Sequence, residues 1–352
     1  MKLKYLQQYL VKEKISLALL VHPDLFLTYF SQIQPSYALM VITPKTNFFY
    51  LTKLDQKPKI AGLKVRIMAK DWEKKHPEFK KAKKVGLNYS AITLSQSKKL
   101  KKLFPKAKLV DISKKLTELR AEKTLLEIKK IEKACQITDF AFDELLKALR
   151  QKKFSAESTE QEIADFLEVK IKSKGAELAF PTIVASGKNS AIPHHQTSNQ
   201  KLKPGFLLLD FGAKYQYYCA DMSRTIYLGR PSKKEVLLYE LLLKAQKEAI
   251  IQVKENLFFS ELDKSCRKWL AQYSSYFIHS LGHGVGLEVH EKPSYAAEGK
   301  EKILKNELFT IEPGLYFPGK FGIRIEDTVL FDGKVKVLTR SRKELVRIKS
   351  FF

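Results

Sequence analysis

Cysteine is scarce: Cys135, Cys219 and Cys266 are the three in 352 residues, and they stand far apart. An odd, scattered set excludes a disulfide framework and a cysteine-rich zinc site, and suits a reducing compartment. Glycine and proline, at 15 and 13, are too few for a collagen-like or low-complexity chain. No segment approaches the ~18 uninterrupted apolar residues that a membrane-spanning helix needs. The basic start Met1-Lys-Leu-Lys-Tyr is interrupted by Lys12, Glu13 and Lys14, and no small-residue cleavage site follows. The expectation is a soluble, cytoplasmic protein without a signal peptide.

Acids are the other shortage. Against 64 Lys and Arg there are 38 Asp and Glu, a net charge of +26. Residues 1–120 hold 26 bases and 8 acids, while the remainder holds 38 and 30. The excess is nearly all lysine, spread through runs such as Lys98-Lys99-Leu100-Lys101-Lys102. Arginine clusters, a zinc finger and an RNP-like aromatic stretch are all missing. A solvated lysine surface is expected, not a nucleic-acid partner. Hydrophobic residues make up 44% of the chain, enough for a sizeable core, and the length suggests two domains.

Residues 1–112 read as a small α/β unit. A helix at about 2–13 precedes strands at Ser16–Val21, Tyr37–Ile42, Asn47–Thr52, Leu63–Met68 and Lys84–Leu87, then a helix near 91–103 and a strand at Lys108–Ile112. His22 and His76 each precede a proline in a turn and are expected on the surface. From Leu116 the pattern becomes helical, with a possible break before Phe140, and Thr159 with Glu162 forms a capping box. Strand-rich and helical stretches then alternate, with helices over roughly 233–254 and 260–272. The expected domains are 1–115 and 116–352, with no internal repeat at a 20–50-residue period.

The chemistry lies in the second domain, where five of the seven histidines fall between 194 and 290. Phe206-Leu-Leu-Leu-Asp210 is an apolar strand carrying an acid near its end, and Tyr217-Tyr-Cys-Ala-Asp221 returns from it. A turn centred between Tyr215 and Gln216 would place Asp210 opposite Asp221. Phe309-Thr-Ile-Glu312 and Gly322-Ile-Arg-Ile-Glu326 flank a Pro318-Gly319-Lys320 turn, and a turn centred on Gly319 sets Glu312 opposite Glu326. Facing acids on buried strands repel and are costly to desolvate, and cations between them resolve that cost. The stretch from Phe277 to Glu291 adds His279, His283 and His290 among glycines. Such an oxygen-rich, thiolate-free set suits paired manganese, cobalt, zinc or iron, which acidify a water and polarise a carbonyl. Gly314-Leu-Tyr-Phe-Pro-Gly319-Lys320 has P-loop spacing, but Phe321 stands in place of Ser or Thr.

Leu-Leu-Asp210-Phe-Gly, Ala-Asp221-Met-Ser-Arg-Thr, Gly-His283-Gly-Val-Gly-Leu-Glu-Val-His290-Glu, Thr-Ile-Glu312-Pro-Gly and Ile-Arg324-Ile-Glu326-Asp-Thr resemble the pita-bread metallopeptidases. The similarity is greatest to their Xaa-Pro branch, prolidase and aminopeptidase P, and covers nearly the whole chain. It implies an α+β fold: a pita-bread catalytic domain preceded by a smaller creatinase-like α/β domain. It implies Asp210 on one metal, Asp221 and Glu326 bridging both, and His283 with Glu312 on the other, manganese being the expected ion. His194 matches the position that gates the substrate, His290 the donor to the scissile carbonyl, and His279 and Arg324 outer or substrate-carboxylate positions. Glu312 also matches a proton shuttle. His195 departs from the pattern, where a small residue is common, and is expected at the rim. The implied activity is hydrolysis of the Xaa-Pro bond at the amino end of a di- or oligopeptide, by a homodimer. The rival readings are methionine aminopeptidase-like activity, or a non-catalytic relative acting as a binding module.

Overall fold

The computed structural model describes residues 2–69, 79, 81–295, 299–349 and 351. His76 lies outside them. The chain divides into two compact units, Met1–Arg120 and Ala121–Phe352. Among the described residues, no helix is long and apolar enough to cross a membrane.

The first unit is built on a six-stranded sheet in the order Lys64–Ile67, Asn47–Leu51, Ala38–Ile42, Leu17–Val21, Lys84–Leu87, Lys108–Asp111. Ala38–Ile42 runs against its two neighbours, and the remaining pairs are parallel. Leu17–Val21 is buried along its whole length, as a central strand covered on both faces must be. Helix Leu94–Leu103 makes the crossover between the last two strands and starts at a Thr93–Gln96 capping box. A short helix, Phe26–Ser31, has no periodic signal in the sequence because every one of its residues is buried.

This topology gathers lysines at one end of the sheet, although Lys53 is also exposed beyond the opposite end of Asn47–Leu51. The parallel strands all begin at one edge, where Lys14, Lys45, Lys83, Lys106 and Lys108 are exposed. Helix Leu94–Leu103 ends at the same edge, bringing Lys101 and Lys102. Asp24, Asp55 and Asp111 sit at or beyond the opposite strand ends.

In the second unit the same series of elements occurs twice. Helices Leu125–Arg150 and Glu160–Lys172, strands Ile183–Ser186 and Gly205–Phe211, a hairpin, and strand Met222–Leu228 form the first half. Helices Lys233–Ile251 and Phe259–Leu270, strands His283–Gly284 and Glu307–Ile311, a hairpin, and strand Asp327–Phe331 form the second. One helix pair packs on a core around Leu207, Leu209 and Ile163, and the other on a core around Phe309, Leu262 and Leu242 that also takes in Phe206 and Tyr227 from the first half. Asp221 and Glu326, at matching places in the two halves, are 105 positions apart, well outside the 20–50-residue window.

Helix Leu125–Arg150 is continuous, against the break expected before Phe140. Thr138 does not interrupt it. Its hydroxyl donates to Ala134 O at 3.0 Å and accepts from Ala213 N at 3.0 Å, so a polar group inside the packed face is satisfied.

Among the described residues, the lysine edge lacks the guanidinium forks and stacking rings that read nucleic acid. Association with single-stranded RNA is expected to be weak and to disappear between ~50 and ~200 mM salt. Fluorescence anisotropy over that range checks it, and sub-micromolar, sequence-dependent binding at physiological salt would refute it.

Candidate metal centre

Asp210 stands one residue before the end of strand Gly205–Phe211, and Asp221 immediately precedes Met222–Leu228. Their register differs from the expected one. Tyr215 pairs with Tyr218 around Gln216 and Tyr217, whose φ values of 46° and 75° give the two-residue connection a left-handed backbone. Asp210 is therefore opposite Ser223, and Asp221 lies two residues along the same face, a diagonal neighbour. In the second hairpin Gly314 pairs with Arg324, and beyond it Ile311 pairs with Asp327. That shared register sets Glu312 opposite Glu326 at the junction of the two ladders.

His283 comes to these acids because Gly282 allows it. A Cβ on Gly282 would lie 2.1 Å from Thr310 O, so only glycine lets the two chains approach. The His283 amide donates to Thr310 Oγ1 at 3.1 Å. Its Nε2 is then 3.2 Å from Glu312 Oε1 and 3.5 Å from Asp221 Oδ2. The segment is also held from helix Phe259–Leu270. Asp263 accepts from Leu281 N at 2.9 Å, and Arg267 donates to the carbonyls of Phe277 and His279 at 2.6 and 2.7 Å. His290 sits edge-on to His283, with ring centroids 4.2 Å apart.

Arg324 is 3% exposed and its guanidinium is committed inside the protein. It donates to Asp210 Oδ2 at 2.6 Å, Ser223 Oγ at 2.7 Å and Tyr316 Oη at 2.7 Å. Tyr316 Oη also meets His279 Nε2 at 2.9 Å. Ser223 Oγ passes its own proton toward Glu326 Oε2 at 2.8 Å. Arg324 thus holds Asp210 while also lining the cavity, and Tyr316 and Ser223 join the site as residues the sequence reading missed. Tyr316 had a signal: the register that pairs Gly314 with Arg324 puts Tyr316 diagonally beside Arg324 on one face.

The electrostatics of this cluster are those of acids crowded together. Burial, then the neighbouring acids, pushes Asp221 and Glu326 well above the usual carboxylate range. Burial raises Asp210 too, with Arg324 opposing. Glu312 goes the other way: burial works against its charge, but the His283 hydrogen bond and charge hold it at about 2. Burial lowers both His279 and His290, favouring neutral rings.

Asp210 Oδ1, Asp221 Oδ1 and Glu326 Oε1 are buried and have no hydrogen-bond partner among the described residues. Asp221, His283 and Glu326 offer donor atoms within 4.8 Å of one another. Buried oxygens are left without partners when a cation is meant to satisfy them, so the residues present fit a divalent metal. The site opens into a cavity of about 760 Å³ lined by His194, His279, His290, Phe180, Ile183 and Val289, a size suited to a small peptide.

The two adjacent histidines both line the cavity but differ in exposure and partner. His194 is exposed on the cavity wall. His195, expected at the rim, has a side chain only 11% exposed, and its Nε2 lies 2.8 Å from the fully buried Glu160 carboxylate. Glu160 was legible only as an ordinary acid in a helix's first turn.

Residues 129–332 match the family described as metallopeptidase family M24, and residues 2–121 match the creatinase/prolidase N-terminal domain. The chain belongs to family M24 and is a metallopeptidase, with a pita-bread catalytic domain behind a creatinase-type domain. It is 35% identical to the Xaa-Pro dipeptidase of Pyrococcus horikoshii over 98% of both chains. It is 40% identical to that of Pyrococcus furiosus over 74% of this chain and 73% of the other. The solved Xaa-Pro dipeptidase from Bacillus anthracis superposes with a TM-score of 0.91 at 31% identity, covering 98% of this chain and 99% of that one.

If the unpartnered oxygens are metal ligands, adding manganese to metal-free protein raises Tm, as any ligand of the native state must. Asp221→Asn and Glu326→Gln are expected to keep the fold but lose most of that rise and to bind less metal. Calorimetry with elemental analysis checks this. Wild-type stoichiometry and a full Tm rise in either variant would remove that residue from the site.

Proposed function

We propose that this chain hydrolyses the bond before proline in dipeptides, Ala-Pro among them, with two divalent ions held by Asp210, Asp221, His283, Glu312 and Glu326. The observation that carries the reading is the convergence of three unpartnered carboxylate oxygens with His283 beside a peptide-sized cavity. The family supports a metal-dependent hydrolase, and the relatives named Xaa-Pro dipeptidase supply the substrate class. Manganese is our assignment, on the oxygen-rich donor set. A cytoplasmic homodimer is the corresponding proposal for the working form.

Bound there, the ions would supply a Lewis acid for the scissile carbonyl and an acidified water. The chain's own residues do the rest. Glu312 takes a proton from the attacking water and returns it to the leaving prolyl nitrogen. His290 and His194 project from the cavity wall, where they donate to the carbonyl oxygen as negative charge develops on it. Arg324 keeps Asp210 oriented, and Tyr316 fixes the ring of His279. The bond before proline carries no N–H, so a site that works on the carbonyl and the leaving nitrogen is not handicapped by its absence.

Metal-replete enzyme is expected to cleave Ala-Pro faster than a longer Ala-Pro peptide, and chelation to abolish both activities until manganese is restored. Hydrolysis of Met-Ala peptides with Ala-Pro left intact would favour the methionine aminopeptidase alternative. His290→Ala is expected to retain both ions and lose ~10²–10³ in kcat, about 2.7–4 kcal/mol. Loss of metal in that variant would make His290 a ligand instead.

A further inference from the structure

The turn that carries His194 is anchored on both sides. Ile192 to His195 closes through His195 N donating to Ile192 O at 3.1 Å. On one side Arg324 Nη1 donates to Pro193 O at 3.3 Å. On the other, His195 Nε2 meets Glu160 Oε2 at 2.8 Å. Glu160 is 0% exposed at the start of helix Glu160–Lys172, where the helix dipole favours a carboxylate. Its Oε1 accepts from Ser186 N at 2.8 Å and Asn189 Nδ2 at 2.9 Å, and its Oε2 also accepts from Ser198 Oγ at 3.2 Å. One buried carboxylate thus ties both ends of the segment 186–198 to a single helix.

We propose that Glu160 and His195 are positioning residues that hold His194 toward the cavity. This rests on the reading of His194 as a substrate contact. Both rings line the cavity, but with the His195 imidazole locked onto Glu160 the more exposed His194 is the ring left to meet the peptide. A histidine on an exposed turn otherwise loses the advantage of a fixed approach, and small misplacements of a reacting or binding group cost up to ~10²-fold. His195 does this work at a position where a small residue could not reach the carboxylate.

The test is a double-mutant cycle on manganese-loaded enzyme with Ala-Pro, read beside amide hydrogen exchange over residues 187–198 in the substrate-free protein. His195→Ala is expected to lose roughly tenfold or more in kcat/KM at unchanged metal content, and its 187–198 amides to exchange faster. His195→Gln should recover most of both, because its amide nitrogen reaches about as far as imidazole Nε2. In a His194→Ala background the second substitution should cost less than about twofold, since the ring being positioned is gone. Wild-type activity and exchange in His195→Ala, or a full additive loss on top of His194→Ala, would overturn the proposal. Full activity in His194→Ala would instead sink the substrate-contact reading, and the exchange measurement would still show whether His195 holds the turn.

Discussion

Four carboxylates, Asp210, Asp221, Glu312 and Glu326, share one buried site, and their mutual repulsion is the constraint around which the second unit is arranged. Desolvation and like charge both oppose their ionisation. Arg324 compensates one of them directly, at 2.6 Å from Asp210, and His283 compensates Glu312. The oxygens left over on Asp210, Asp221 and Glu326 have no such relief from the described residues. A fold that keeps these groups together without collapse or rearrangement needs rigid walls. The requirement for divalent charge follows from the same crowding.

The walls are polar and are themselves tied by buried charge. Arg224, 1% exposed, pairs with Asp327 at 2.8 Å and also bonds the carbonyl of Ser223 at 3.0 Å. Asp327 additionally accepts from Gln246 and Thr339 at 2.8 and 2.9 Å. This network joins the strand after Asp221 to the strand after Glu326, one from each half of the unit. Asp327 also pairs with Lys343 at 2.5 Å, so it is loss of Asp327 that would strand the buried Arg224, at about 3–5 kcal/mol, and the two acid-bearing strands are kept in fixed relation. On the histidine side, Asp263 and Arg267 clamp the backbone from Phe277 to Leu281. Glu160 does the equivalent for the turn bearing His194. His279 and the turn bearing His194 thus face the cavity with their backbone bonded from behind.

The double architecture explains why the ligands come in pairs. Each half contributes two acids at the base of a hairpin, so two similar half-sites face a common centre. The first half connects its strands through the left-handed turn at Gln216 and Tyr217. The second uses Pro318 to Lys320, with Gly319 at φ 70°. The halves share little visible sequence, because what they have in common is the placement of one acid per strand end. The histidines belong to no such symmetry: His283 lies among the acids, and His290 and His194 line the cavity.

The sequence by itself determined the acids, the histidine run and the family, because ionisable groups on apolar strands are conspicuous and their spacing is local. It also determined the second hairpin, since Pro318 and Gly319 mark the turn and alternation carries the register outward. Tertiary structure alone decided the rest. The first hairpin's turn uses Gln216 and Tyr217 in place of Gly or Asn, so its centre was displaced by one residue and Asp221 by two. Ser223, Tyr316 and Glu160 owe their roles to partners 101, 37 and 35 positions away, a separation over which no local pattern persists. The contact between His195 and Glu160 was invisible for the same reason. Two identical side chains adjacent in a turn differ only in which buried group each can reach, and the carboxylate that distinguishes them arrives from another helix.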